Sequence, residues 1–337
     1  MENDAVLTAD VTVVMACYNR SRLILRSLES IRAQRVWPRQ VIVVDDASAD
    51  DSVAVVRAWA KETGFPVVVE ALTKNGGVAA ARNRGFEIAK TKYIAILDSD
   101  DEHVDDALGK MVAALEANPD AVVSFADSIK VTPTERIPDA MFTSKVDIDA
   151  VCEALHQETP RYRLRDTKAT MLKASLIATC SSCFRRADGI AVGGMPTKFR
   201  AGSDWLFWLR LSERGDFIYI PENLSLVHRH SENLTHPGSA VNTSYYKLAG
   251  FLGLLDGSAG ISLTPAQRVL VEEYIRARVA LLRYQSSRLG LGMYLRSLRN
   301  LPIPQHRSIL AHIAEDPKSL MRAIACSVRP APVSRTR

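Results

Sequence analysis

Short, β-branched apolar runs recur at regular intervals through the first 125 residues, and this alternation limits the fold more than any other feature of the chain. Val11-Thr12-Val13-Val14-Met15-Ala16, Val41-Ile42-Val43-Val44, Val67-Val68-Val69, Tyr93-Ile94-Ala95-Ile96-Leu97 and Ala121-Val122-Val123-Ser124-Phe125 are all of strand length. Between them lie stretches with helical spacing: Ser21 to Gln34, a segment capped by Asp50 that runs to Glu62, Val78 to Ala89, and Asp105 to Ala117. Runs that are apolar throughout, rather than alternating with polar residues, suit strands covered on both faces. Strand and helix in strict turn predict right-handed βαβ units and an α/β fold, with a mostly parallel, Rossmann-like sheet flanked by helices.

Beyond Phe125 the pattern changes. Pro133 to Lys168 is broken and polar and reads as an insertion. A second ordered block runs from Leu172 to Val227, and a helical block from Pro265 to Asn300 ends at Leu301-Pro302-Ile303-Pro304 before one more short helix. The expected division is a catalytic domain over 8–236, with a nucleotide-binding half (8–130) and an acceptor half (131–236), followed by a basic helical extension over 237–337. From Pro265 onward there are 13 Lys and Arg against 4 Asp and Glu, while the rest of the chain carries 30 against 34. A basic tail on a mildly acidic body points to peripheral contact with an anionic membrane, or to a helix that packs on its neighbours; an oligomer stays open, and no nucleic acid is expected. Val269, Leu270, Tyr274, Ile275, Val279 and Leu282 give the packing face. No run of about 18 apolar residues occurs, so no spanning helix is expected. No basic and apolar leader opens the sequence, and the five cysteines follow no framework spacing. Reduced thiols in a cytoplasmic protein fit that usage.

In an open α/β sheet, ligands sit beyond the carboxyl ends of the strands. The residues found there are Ala16-Cys17-Tyr18-Asn19-Arg20, Asp45-Asp46-Ala47-Ser48, Lys74-Asn75-Gly76-Gly77 and Asp98-Ser99-Asp100-Asp101. Three carboxylates within four residues repel one another unless a cation or hydrogen-bond donors neutralise them, which suits Mg2+ or Mn2+. The competing reading is a turn or helix start rich in Asp. Asp45-Asp46-Ala47-Ser48 reads either as a capped turn or as a carboxylate that grips a base or ribose. Lys74-Asn75-Gly76-Gly77 opens a helix and so offers backbone N–H groups to an anion. It is neither a P-loop nor a dinucleotide fingerprint.

These segments, in this order, resemble the family 2 glycosyltransferases of the GT-A fold: the strand ending in Ala16-Cys17-Tyr18-Asn19-Arg20, then Val41 to Asp50, Asn75-Gly76-Gly77-Val78-Ala79-Ala80-Ala81-Arg82-Asn83, and Tyr93 to Asp101. The resemblance is close over about residues 10–125 and looser to about 236. It implies that Ala16 and Tyr18 contact a nucleotide, with Asn19, Asn75, Gly77 and Ser99 lining the donor pocket. Asp46 or Asp45 would bind the base. Asp98 would lie near the ribose, Asp100 would hold the metal that bridges the diphosphate, and Arg82 would pair with acidic groups nearby. Ala16-Cys17 stands where the family usually has Pro-Thr or Pro-Ser. Further on, Ala201-Gly202-Ser203-Asp204-Trp205 is similar to the family's Glu-Asp segment, with Ser203 in the place of Glu. That makes Asp204 the base for the acceptor hydroxyl, although it also stands where a helix cap would. His228-Arg229-His230-Ser231-Glu232-Asn233-Leu234-Thr235 resembles a downstream family segment, and His230 becomes a second metal ligand or a diphosphate contact.

The reading is therefore an inverting transferase that moves single sugars from a nucleotide-diphosphate donor, a UDP-sugar by family expectation, to a glycan or lipid-linked acceptor. The absence of Gln-x-x-Arg-Trp after Asp204 argues against a processive synthase. A sugar-phosphate nucleotidyltransferase would need glycine in the loop after the first strand, where Ala16-Cys17-Tyr18-Asn19-Arg20 has none. A binding protein that has lost catalysis would not be expected to keep Asp98, Asp100 and Asp204. Cys180-Ser181-Ser182-Cys183 has no second cysteine pair, so buried thiols near the acceptor are expected there rather than zinc.

Overall fold

A computed structural model of the chain describes residues 7–139, 141–155, 159–173, 175–199, 201–230, 240–301 and 309–328. The fold falls into two compact units, one within Met1–His230 and one within Ser231–Arg337.

In the first unit β1 (Leu7–Cys17), α1 (Ile24–Arg32), β2 (Val36–Asp45), α2 (Ser52–Thr63), β3 (Val67–Ala71), α3 (Val78–Ile88) and β4 (Tyr93–Ile96) follow one another as the apolar runs predict. The four strands pair in parallel in the order β3-β2-β1-β4. One face of this sheet buries Val11, Val13, Met15, Val41 and Val43 against Ile24, Leu28 and Ile31 of α1 and Val56 and Trp59 of α2. The three α1 residues are four and three apart and so share a helix face. On the other face α3 lies so close to β1 that a Cβ on Gly85 would stand 2.4 Å from Val14 Cγ1. Only glycine permits that approach.

The chain continues through β5 (Glu102–His103), α4 (Ala107–Glu116), β6 (Ala121–Val131), β7 (Arg136–Asp139), α5 (Ile148–Val151), β8 (Cys152–Leu155), β9 (Arg161–Leu164), α6 (Thr167–Lys173), β10 (Ser182–Arg185), α7 (Arg186–Ala191), α8 (Ser203–Leu211) and β11 (Asp216–His228). The sheet extends from β4 through β10, β6, β11 and β9 to β8. The parallel expectation holds for β1 to β4 and for β6 with β11, whereas β10 runs antiparallel to both β4 and β6, and β5, β7, β8 and β9 also pair antiparallel. The segment read as an insertion contains β7, α5, β8 and β9, each of four residues and too short to display a period. Asp51, not Asp50, occupies the cap position of α2, yet the Asp50 carboxylate accepts the Ser52 N–H at 3.0 Å.

The second unit holds α9 (Ala240–Leu255), α10 (Pro265–Ser287), α11 (Leu291–Arg299), α12 (Ile309–Glu315) and α13 (Pro317–Val328). Thr264 and Gln267 form a capping box at the start of α10, with Pro265 in the first turn. Val279 and Leu282 are buried and Tyr274 packs on Phe251, as helical spacing predicts, but Val269 is 54% exposed. Ser231 to Thr235 and Pro302 to Pro304, singled out in the sequence, lie outside the described residues. Among the described residues no helix is long and apolar enough to cross a membrane.

Candidate active site

The carboxyl ends of β1, β2 and β4 and the start of α3 form one connected set. Asn19 and Ala47 adopt left-handed backbone, at φ 53° and 59°, a conformation that costs a side-chain-bearing residue about 1 kcal/mol or more. The two turns hold each other. Asn19 donates its N–H to Ser48 Oγ at 2.9 Å and accepts the Ala49 N–H at 2.8 Å. Ser48 in turn donates its N–H and Oγ to the buried Asp45 carboxylate, at 2.9 and 2.5 Å.

Asp46 is also buried, and its oxygens accept the N–H groups of Gly76 and Gly77 at 2.7 and 2.8 Å. The glycine turn thus meets an anion, and that anion is the protein's own Asp46. Asn75 donates to the Asp46 carbonyl at 3.0 Å and Gly77 has φ +85°, so the end of β2 and the start of α3 are locked together. Tyr18 is 48% exposed beside the half-buried Ala16, a free aromatic face at the rim of these turns.

The acidic loop follows β4. Asp98 pairs with Arg82, whose guanidinium is buried; burial disfavours that charge, but the contact with Asp98 outweighs it and raises the arginine's pKa. Asp100 Oδ2 lies 3.0 Å from His230 Nε2 and 3.4 Å from Arg20 Nε, and its carbonyl accepts from Arg26 at 2.7 Å. Ser99 and Asp101 are 4% exposed. Asp101 accepts the His228 N–H and the Cys180 thiol, each at 2.9 Å. Burial, then the charges of Asp98 and Asp100, push its carboxyl up to about 8. Asp98, Asp101 and Cys180 each bring one ligand atom within 4.8 Å of the others. The two carboxylates of this set suit a hard divalent cation, whose charge would offset the burial and repulsion that raise Asp101; the Cys180 sulfur, a thiol that burial keeps protonated and that donates to Asp101, does not. The expected ligands Asp100 and His230 adjoin it.

Asp204 stands in the first turn of α8, behind Gly202 at φ +80°. Its Oδ1 accepts the Trp205 N–H at 2.8 Å and its Oδ2 accepts from Thr179 Oγ1 at 3.2 Å. The cap position itself belongs to Gly202, so Asp204 tightens the helix start from inside it. Its negative charge also acts on Arg82, which ties the base candidate to the acidic loop. Upstream, the Asn83 carboxamide grips the Met195 backbone in both directions, at 2.7 and 2.8 Å, and fixes the Gly193-Gly194-Met195 turn to α3.

Several contacts here carry no signal in the sequence. Arg26 on the acidic loop and Thr179 on Asp204 come from residues of ordinary type at unremarkable positions, and the contact of Arg20 with Asp100 is not spelled out by the strand-end segment in which Arg20 stands. Cys180 and Cys183 are buried as expected, but only Cys180 reaches the acidic loop.

The family model for glycosyl transferase family 2 matches residues 12–189. The succinoglycan biosynthesis protein ExoO of Rhizobium meliloti (strain 1021) is 42% identical over 108 residues, covering 32% of this chain and 30% of that protein. The chain spans less than two thirds of the length of the curated relatives it matches first, 30% and 64% of them. Among solved structures, TarS 1–349 of S. aureus in complex with UDP-GlcNAc aligns with a TM-score of 0.60 at 16% identity, covering 93% of this chain and 89% of that one. The mannosyltransferase PcManGT of Pyrobaculum calidifontis, in complex with GDP-Man and Mn2+, aligns at 0.55 and 17% identity, covering 95% and 87%. Both establish the GT-A-like fold.

Proposed function

The chain belongs to glycosyl transferase family 2, and from that membership we propose that it moves single sugars from a nucleotide-diphosphate donor to an acceptor hydroxyl, with inversion at the anomeric carbon. The observation that carries this reading is the meeting, in one unit, of the acidic loop Asp98–Asp101 with Asp204 through Arg82. The donor's base lies against Tyr18 and the Asp45–Asp46 turn, and its ribose and diphosphate extend towards Asn75, Gly77, Asp98 and Ser99. Asp204 takes the proton of the acceptor hydroxyl as that oxygen attacks the anomeric carbon, and the bond to the diphosphate oxygen breaks on the opposite side. Asp100 and His230, with Asp98 and Asp101 beside them, would hold Mn2+ or Mg2+. When bound, that ion supplies positive charge next to the leaving diphosphate. Arg82 keeps Asp98 oriented.

The role of ExoO in succinoglycan biosynthesis supports an acceptor in exopolysaccharide or cell-envelope glycan assembly. The neighbours that bind UDP-GlcNAc and GDP-Man support a nucleotide sugar as donor. A lipid-linked acceptor places the enzyme at the cytoplasmic face of a membrane. One feature of the second unit favours this: Tyr284, Leu289, Met321 and Ile324 are exposed, and Arg288 and Arg322 lie over the Tyr284 ring.

The test is turnover of a panel of UDP-, GDP- and dTDP-sugars, read as released nucleotide, together with calorimetric binding of the matching diphosphate. Asp204→Asn is expected to lower turnover at least 100-fold with nucleotide affinity nearly intact. Asp100→Ala is expected to abolish the dependence of binding on Mn2+. Metal-independent binding, or preference for a triphosphate, would sink this mechanism in favour of nucleotidyl transfer.

A further inference from the structure

The 3-10 turn Thr179–Ser181, which leads into β10, joins parts of the site that are distant in sequence. Its three residues reach four different partners. Thr179 Oγ1 donates to Asp204 Oδ2 at 3.2 Å, and the Cys180 thiol donates to Asp101 Oδ2 at 2.9 Å. Ser181 Oγ donates to the Asp127 carbonyl at 2.9 Å and lies 2.6 Å from Ser225 Oγ.

The turn has little room to move. Ser182 Oγ donates back to the Thr179 carbonyl at 2.6 Å, His103 Nε2 lies 3.0 Å from the Cys180 carbonyl, and Cys180, Ser181 and Ser182 are at most 3% exposed. A hydroxyl presented from such a base is a fixed reference point. Asp204, by contrast, is half-buried and on the first turn of its helix, and its other hydrogen bond among the described residues is the Trp205 N–H on Oδ1.

We propose that Thr179 is a positioning residue for Asp204, holding the carboxylate in the orientation from which Oδ2 accepts the acceptor's proton. This rests on the assignment of Asp204 as base. An ionised carboxylate oxygen carries two lone pairs. Thr179 occupies one on Oδ2, and the other stays available to the incoming O–H. As the acceptor oxygen bonds to the anomeric carbon, its proton passes to Oδ2 and the electron pair of the breaking bond leaves with the diphosphate. Because Thr179 and Cys180 are consecutive, the same rigid turn sets the base and the acidic loop in one frame. Orientation at this level is worth a great deal: a misplacement of about 1 Å costs on the order of 100-fold in rate.

The experiment uses the full chain and whichever nucleotide sugar of the panel it turns over fastest, with UDP release, or release of the matching diphosphate, as the rate. Thr179→Val keeps the shape and removes the hydroxyl; Thr179→Ser keeps the hydroxyl. Thr179→Val is expected to lower kcat about 10- to 100-fold, with donor KM and Mn2+-dependent diphosphate affinity within about twofold. Thr179→Ser is expected to recover activity to within about threefold of the parent, and Thr179→Val combined with Asp204→Asn to lose nothing beyond Asp204→Asn alone. If the valine variant does not fold, Thr179→Ala takes its place under the same expectations. Full kcat without the hydroxyl, or a serine variant as slow as the valine one, overturns the proposal while leaving the base intact. An Asp204→Asn enzyme that still turns over at the parental rate removes the base assignment itself, whatever Thr179 does.

Discussion

Asp46→Asn is the substitution that separates the building role of the second strand's end from its binding role. It changes neither size nor shape. In the native protein both carboxylate oxygens accept from backbone, Gly76 N–H at 2.7 Å and Gly77 N–H at 2.8 Å, with the side chain buried. An amide offers one oxygen and one NH2 group, and whichever way it is flipped, a donor faces a donor. One charge-assisted bond, worth about 1.5–3 kcal/mol, is lost outright. The other loses its charge, about 1 kcal/mol more. Gly77 is only half-buried, so water can reach its abandoned N–H and no further desolvation cost is added. The sum is about 2.5–4 kcal/mol, a large share of the ~5–15 kcal/mol by which a domain is stable. Urea unfolding followed by far-UV circular dichroism, extrapolated linearly to water, measures it. The same variant should bind UDP weakly even well below its unfolding midpoint, because Asn75 and Gly77 lose the carboxylate that orders them. An extrapolated stability within about 0.5 kcal/mol of the parent would refute the clamp and leave Asp46 as a binding group alone.

Two further outcomes follow from charges outside that clamp. Burial holds His103 down to about 4, well below its ordinary 6.5. Between those values His103 takes up a proton in the unfolded chain that it refuses in the folded one, so its own contribution to stability rises with pH across pH 4 to 6.5 and is lost as pH falls through that window, against the opposite slope from the raised Asp101 carboxyl. The gap corresponds to roughly 3 kcal/mol; the difference in urea-measured stability between the parent and His103→Gln, followed across pH 4 to 6.5 in chelator-containing buffer, should show it, and an unchanged slope in that variant would count against a neutral, buried His103. In the second unit, Arg288→Glu with Arg322→Glu should cut binding to phosphatidylglycerol vesicles at least tenfold, since each basic residue near an anionic surface contributes about 1 kcal/mol; equal flotation of the parent chain with phosphatidylcholine would dismiss the membrane face.

What was legible in the sequence was whatever repeats. Strands covered on both faces are spelled out by continuous β-branched runs, so β1 to β4 and β6 stand where those runs are, and the polar residues that follow each of them fall together at one edge of the sheet. The antiparallel β10 was not legible, because its four residues Ser182–Arg185 carry no period and its neighbours β4 and β6 are fixed only by the three-dimensional order of the sheet. The short elements between Arg136 and Leu164 escaped for the same reason.

The site divides along the same line. Carboxylates crowded within four residues announce a need for neutralisation, and Asp98–Asp101 could be found that way. Which groups answer that need is a matter of tertiary approach: Arg82 for Asp98, Arg20 and His230 for Asp100, and the Cys180 thiol with the His228 N–H for Asp101. The glycine turn shows the limit most clearly. Its sequence promises an anion, and backbone geometry delivers one, but the anion is Asp46, about thirty residues earlier in the chain. A loop that binds part of its own protein in this way is pre-ordered before any donor arrives, which lowers the entropy that a nucleotide must overcome on binding. The same reasoning makes Thr179 more than an incidental neighbour of Asp204. A carboxylate near the surface of a helix start gains its orientation from whichever fixed group touches it, and the turn that carries Thr179 is held by four hydrogen bonds within its unit.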